Sequence, residues 1–147
     1  MRKLLRFLFL PYQEKKLLSQ SLFLVVGIRL SLWIFPFRWL NNWLSGLGSP
    51  NLNNQLTDWS VIGKVTRSVR LCSRHVPQAS CLTQALATQT LLRLKGLDSQ
   101  LKFGVDKDEN EKLMAHAWIE VDGKIIIGKL SYHRRFNVLN HSTSVVI

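Results

Sequence analysis

Between Ser80 and Gly128 the sequence permits few folds. Ser80 precedes an apolar-periodic run, Cys81-Leu82-Thr83-Gln84-Ala85-Leu86, and a serine there can cap the first unpaired backbone N–H groups of a helix. Leu82, Ala85, Leu86 and Leu92 make its inward face, and Gly96 supplies the residue that most easily closes a helix C-terminus. Residues 101–105 then read as a strand and 106–111 as a polar turn. Two further strands, 113–121 and 124–127, are separated only by Asp122-Gly123, a strong two-residue hairpin signal. A helix followed by short antiparallel strands is an α+β pattern.

The chain before this stretch reads as helical. Thr57 or Asp58 can cap a helix whose Ile62, Val65, Val69, Cys72 and Val76 fall on one stripe, with Lys64, Arg67, Arg70 and Arg74 directed away. Cys72 lies on the apolar stripe, so it is expected to be a small buried hydrophobe. Residues 12–28 suit another helix through Leu17, Leu18, Leu24, Val25 and Ile28. Residues 22–28 are apolar all round, but Arg29, Pro36 and Arg38 interrupt before the roughly 18 apolar residues that a membrane span needs. Trp33, Phe35, Phe37, Trp39 and Trp43 follow. Such aromatics fill a groove between helices, bind a partner's apolar surface, or mark a lipid interface. Gly46, Gly48, Pro50 and Asn51-Leu52-Asn53-Asn54 read as a loop. The expected division is a basic helical region, 1–56, and a core, 57–147. Residues 145–147 suggest a last strand. The apolar run near the start is stopped by Pro11 with no small-residue cleavage site after it, so no secretory signal is expected.

At 147 residues and 46% hydrophobic content, the chain can bury a core as one ordinary domain. Two cysteines are too few for a disulfide framework, and the four histidines lack ligand spacing, so neither metal nor cofactor is expected. A reactive thiol persists in a reducing setting, which points to the cytoplasm. The net charge is +11, and residues 1–50 hold seven Lys/Arg against one acid, Glu14. Such a surface suits acidic partners, including anionic lipid touched peripherally by the N-terminal region. No zinc finger, recognition helix or RNP-type strand accompanies the charge, so nucleic acid is not expected.

Cys81 and His116 carry the chemistry. A thiol at a helix start is favoured as thiolate by the unpaired N–H groups and the positive dipole end, and an imidazole can exchange its proton. Alternation puts Met114, His116, Trp118 and Glu120 on one strand face and the apolar Ala115, Ala117, Ile119 and Val121 on the other. The Leu82 N–H and Gln84 are oxyanion candidates, and Trp118 is a substrate-side candidate. A two-residue turn pairs Val121 with Lys124 and sets His116 opposite Lys129. Glu120, four residues along the strand, lies about 13 Å from His116, and Asp122 farther still. No acid of this stretch reaches the imidazole. A backbone carbonyl, an asparagine such as Asn137, or a partner's residue is left to orient it.

Val76-Pro77-x-x-x-Cys81-Leu-Thr-Gln-Ala-Leu-Ala, the helix ending at Gly96, Phe103-Gly104-Val105 and Ala115-His116-Ala117-Trp118-Ile119-Glu120-Val121-Asp122-Gly123 together resemble the lasso-peptide biosynthesis B proteins. These are transglutaminase-like, papain-related cysteine peptidases. The resemblance is close over about residues 60–130, and the basic, Leu/Trp-rich start looks like the same family's. It implies a standalone peptidase half that removes the leader from a ribosomally made precursor peptide. A separate winged-helix protein would capture the leader, and an asparagine-synthetase-like cyclase would close the ring. Cys81 would be the nucleophile and His116 the base. Many relatives carry an aspartate after the hairpin where this chain has Gly128. A catalytically weak module that presents precursor to the cyclase is the alternative this departure suggests.

Overall fold

A computed structural model describes residues 11–47, 57–107, 111–129 and, for the backbone alone, 137–139. Among them are four helices, α1 (Tyr12–Ile34), α2 (Phe37–Ser45), α3 (Trp59–Ser73) and α4 (Cys81–Leu94). Four antiparallel strands follow, β1 (Gln100–Lys107), β2 (Leu113–Val121), β3 (Lys124–Ile127) and β4 (Asn137–Leu139), in the order β3-β2-β1-β4. The expected α+β class is the one observed.

Local chemistry explains the boundaries. Asp58 caps α3, its Oδ1 accepting from the N–H groups of Ser60 at 3.0 Å and Val61 at 3.1 Å. Ser80 caps α4 through Thr83 N–H at 3.4 Å. At the far end, Gly96 takes φ +74°, Leu97 N–H reaches Leu92 O and Gly96 N–H reaches Arg93 O. This glycine-centred closure satisfies carbonyls that a straight helix end would leave bare. Asp122 and Gly123 take φ +48° and +72°, as a tight primed hairpin turn requires.

α1 runs to Ile34, past the expected stop at residue 28. Arg29 does not break a helix, whereas Pro36 forces Phe35 into extended backbone and ends it there. The aromatic segment then forms α2, which buries Leu40 and Leu44. β4 was not anticipated at residues 137–139. The expected final strand at 145–147, the domain boundary at residue 56 and the residues read for a secretory signal lie outside the described residues.

One apolar core joins the helices to the sheet. Leu17, Val25 and Ile28 of α1, Leu40 and Leu44 of α2, and Ile62, Val65, Val69 and Cys72 of α3 meet Ala85, Leu86 and Leu92 of α4. Leu101, Ala117, Ile119, Val121 and Ile127 close it from the sheet. α1 packs on α3 and α4, and α4 packs on β2. The sheet is therefore held by the same helix that begins with Cys81.

Candidate active site

Cys81 is the first residue of α4 and is half-buried. Ser80 takes up the Thr83 N–H with its side chain and the Gln84 N–H with its carbonyl, the latter at 3.1 Å. Helix geometry offers no intrahelical acceptor to the N–H groups of Cys81 and Leu82. These donors, with the dipole, make the helix start a place where negative charge on sulfur or on a substrate oxygen is stabilised. Gln84 stands one turn further, half-buried and on the side of Cys81. Thr83 faces inward and is fully buried.

The positions of Cys81 along α4 and of His116 along β2 can be compared through one anchor. Gln89 Nε2 donates to Ser99 O at 3.3 Å, fixing the middle of α4 beside the start of β1. From that anchor the helix runs back about 12 Å to Cys81, at roughly 1.5 Å per residue. β1 runs about 16 Å to Gly104, at roughly 3.3 Å per residue. Gly104 pairs with His116. Helix start and imidazole strand position thus come to a similar height.

A main-chain group orients His116. His116 Nε2 lies 2.6 Å from Gly128 O. A carbonyl can only accept, so Nε2 carries the proton in this bond and the neutral ring presents Nδ1 as its acceptor nitrogen. Gly128 reaches this position through a bulge that the two-residue turn did not announce. Val121↔Lys124 and Glu120↔Ile125 follow the expected register, but Ile119 pairs with Ile127 and not with Ile126. The extra residue shifts everything beyond it by one, so the expected pairing of His116 with Lys129 does not occur. Gly128 takes φ +84°, and a Cβ built there would lie 2.8 Å from Ala117 O and 2.9 Å from Trp118 Cβ. No side chain fits, an aspartate's included.

Trp118 is 1% exposed, although it shares the strand face first read as the polar side. β2 is an interior strand, and at residues 117–119 it is covered on both faces. The indole stacks beside the imidazole, with ring centroids 6.1 Å apart, and its Nε1 donates to Glu120 Oε1 at 2.7 Å. Glu120 is thus engaged by the Trp118 indole. Asp122 accepts from Thr57 Oγ1 at 2.6 Å and is occupied at the turn. Asn137, on β4, pairs with Val105 of β1, so β1 separates its backbone from β2.

Cys72 is a different thiol. It is buried, its Sγ donates to Leu18 O at 3.5 Å, and burial pushes its thiol above the ordinary range. Among the described residues, no group of three or more His, Cys, Asp or Glu is placed to hold a metal ion.

Residues 24–141 match the family model of the transglutaminase-like superfamily. The chain belongs to that superfamily. Membership supports a module of the cysteine-peptidase type, acting on a peptide or binding one. No curated protein and no solved structure gives a match. Within the superfamily match lie both Cys81 and His116, and so does the carbonyl that holds the imidazole.

Proposed function

We propose that this transglutaminase-like chain is a cysteine peptidase that removes the leader from a ribosomally made lasso-peptide precursor before the macrolactam closes. What supports this reading is a half-buried cysteine at a helix start, together with a histidine on β2 whose Nε2 is held by the Gly128 carbonyl. In the reaction, the Cys81 thiolate adds to the carbonyl carbon of the leader's last residue. The Cys81 and Leu82 N–H groups, with Gln84, stabilise the oxyanion. The imidazolium of His116 gives its proton to the leaving amine, which departs as the core peptide. Water, deprotonated by the same imidazole, then cleaves the thioester and frees the leader acid and the thiol.

The leader would be delivered by a winged-helix recognition protein, and the released amine would pass to an asparagine-synthetase-like cyclase. The basic surface favours acidic segments of such partners through steering. Reconstitution tests the reading: the chain, the winged-helix partner and a candidate precursor are mixed and followed by mass. Leader release by the wild type and none by Cys81→Ala is expected. Cleavage by the Cys81→Ala protein would sink it.

A second reading has its own support. Gly128 stands where the resemblance implies an aspartate, and the site admits no side chain there. A main-chain carbonyl is a weaker partner for an imidazolium than a carboxylate. On that reading the chain is a peptide-binding module that presents precursor. Iodoacetamide reactivity separates the two: a Cys81 thiol that alkylates rapidly in the native protein favours the peptidase, and an inert one favours the binding module.

A further inference from the structure

α1 is apolar on two opposite sides, and the core uses only one. Leu17, Val25 and Ile28 face inward, while Phe23, Leu30 and Ile34 project from the other side. Phe23 is 80% exposed and Trp33 83%. The apolar surface continues around the elbow, where the Phe35 and Trp39 rings stack with centroids 4.6 Å apart, to exposed Trp43. Large aromatic side chains offer about 150–250 Å² each, so this surface exceeds what soluble monomers ordinarily leave bare.

Its surroundings say what covers it. Within residues 11–47 stand Lys15, Lys16, Arg29 and Arg38 against the single acid Glu14. The ten residues leading into α1 interleave Arg2, Lys3 and Arg6 with leucine and phenylalanine and contain no acid. Cations flanking an apolar surface rich in tryptophan match the chemistry of an anionic bilayer interface, where indoles sit at headgroup depth. By length and composition α1 could also cross a membrane. Its inner face, however, packs along α3 and α4. Crossing would either strip that face from the core or draw Lys64, Arg67, Arg70 and Arg74 of α3 into hydrocarbon, which is costly for each charge.

We propose that α1 and α2 dock this chain peripherally on an anionic membrane, with α1 in the plane of the interface and Phe23, Leu30, Trp33, Ile34, Trp39 and Trp43 toward the acyl chains. The proposal does not depend on the peptidase reading. The site would then work at the membrane surface, because the Arg29 guanidinium on α1 donates to the Gln78 side chain in the turn leading to Cys81.

The test uses the full chain with vesicles of phosphatidylcholine alone or mixed with phosphatidylglycerol. Expected are co-sedimentation with the mixed vesicles, weakening as salt rises, and a blue shift of tryptophan emission. A Leu30→Glu/Trp33→Glu variant should bind about tenfold or more weakly, since two exposed apolar side chains that would enter the bilayer are lost, with an unchanged circular dichroism spectrum and melting temperature. Equal binding by the variant overturns the proposal, as does a wild type that stays in the supernatant. Resistance to alkaline carbonate extraction overturns the in-plane placement by showing a span. Self-association abolished by Trp33→Glu, without vesicle binding, assigns the face to a second copy instead.

Discussion

Cys72 and Cys81 occupy opposite ends of consecutive helices, and the two ends differ chemically. Cys72 lies in the last turn of α3, among Val65, Val69 and Leu18, with its sulfur against a carbonyl oxygen. Burial holds it protonated there, and a helix C-terminus does nothing for an anion. Cys81 opens α4, half-exposed, beside N–H groups the helix leaves without partners. The same side chain is core filler at one end and a candidate nucleophile at the other. Residue type alone does not distinguish them; position in the helix and access do.

The hardest test of this contrast is exchange of roles. Cys81→Ala is expected to lower leader release by about 10⁴-fold or more, while Cys72→Ala leaves it within a few fold. Mass spectrometry of the precursor reads both, and a reversed pattern would end the contrast. His116→Ala should cost about 10²–10⁴-fold in the same assay, the usual range for a general acid–base group. A full-rate His116→Ala enzyme would mean that Cys81 is activated by something else.

Gly128 sharpens what makes the surroundings of Cys81 distinct. Gly128→Asp, which on paper restores an acid, should instead destabilise the fold by about 2–4 kcal/mol, from positive φ together with the close approach of Ala117 O and Trp118. Gly128→Ala should unfold almost as easily, because the clash begins at Cβ. Denaturant titration of both variants decides it. An aspartate variant that is stable and faster would show that the carbonyl does not orient the imidazole.

The thiols also differ in pH response. The folded Cys72 thiol titrates above its unfolded value near 8.5, so its contribution is intact below that pH and fades as pH rises through the folded value. Wild type should therefore lose stability above about pH 8.5 more steeply than Cys72→Ala, seen as converging melting temperatures. In native protein, iodoacetamide should label Cys81 and spare Cys72 until denaturant is added. Labelling of both at equal rates would contradict the burial of Cys72. The smallest effect belongs to Glu120→Gln. An amide oxygen still accepts from Trp118, so stability should change by less than about 1 kcal/mol, with cleavage little affected.

Much of this was legible in the residues themselves, because it is local chemistry. Asp58 and Ser80 announce helix starts by what their side chains can accept. Gly96 and Asp122-Gly123 announce reversals by the backbone angles they tolerate, and Pro36 limits α1 by what it forbids. The stripe through Cys72 and the helix-start place of Cys81 follow from the same short-range rules, and so did the conclusion that neither Glu120 nor Asp122 reaches His116. Four features needed the assembled fold. The bulge between Ile119 and Glu120 depends on how two strands settle against α4, and Gly128 follows it with its carbonyl at the imidazole. The burial of Trp118 depends on β2 being an interior strand covered on both faces. β4 depends on a distant segment finding the free edge of β1. The uncovered side of α1 depends on which neighbours arrive, since an all-round apolar helix does not state how much of it the core will take. Period, caps and turns act over a few residues, whereas register and cover are set by partners far along the chain.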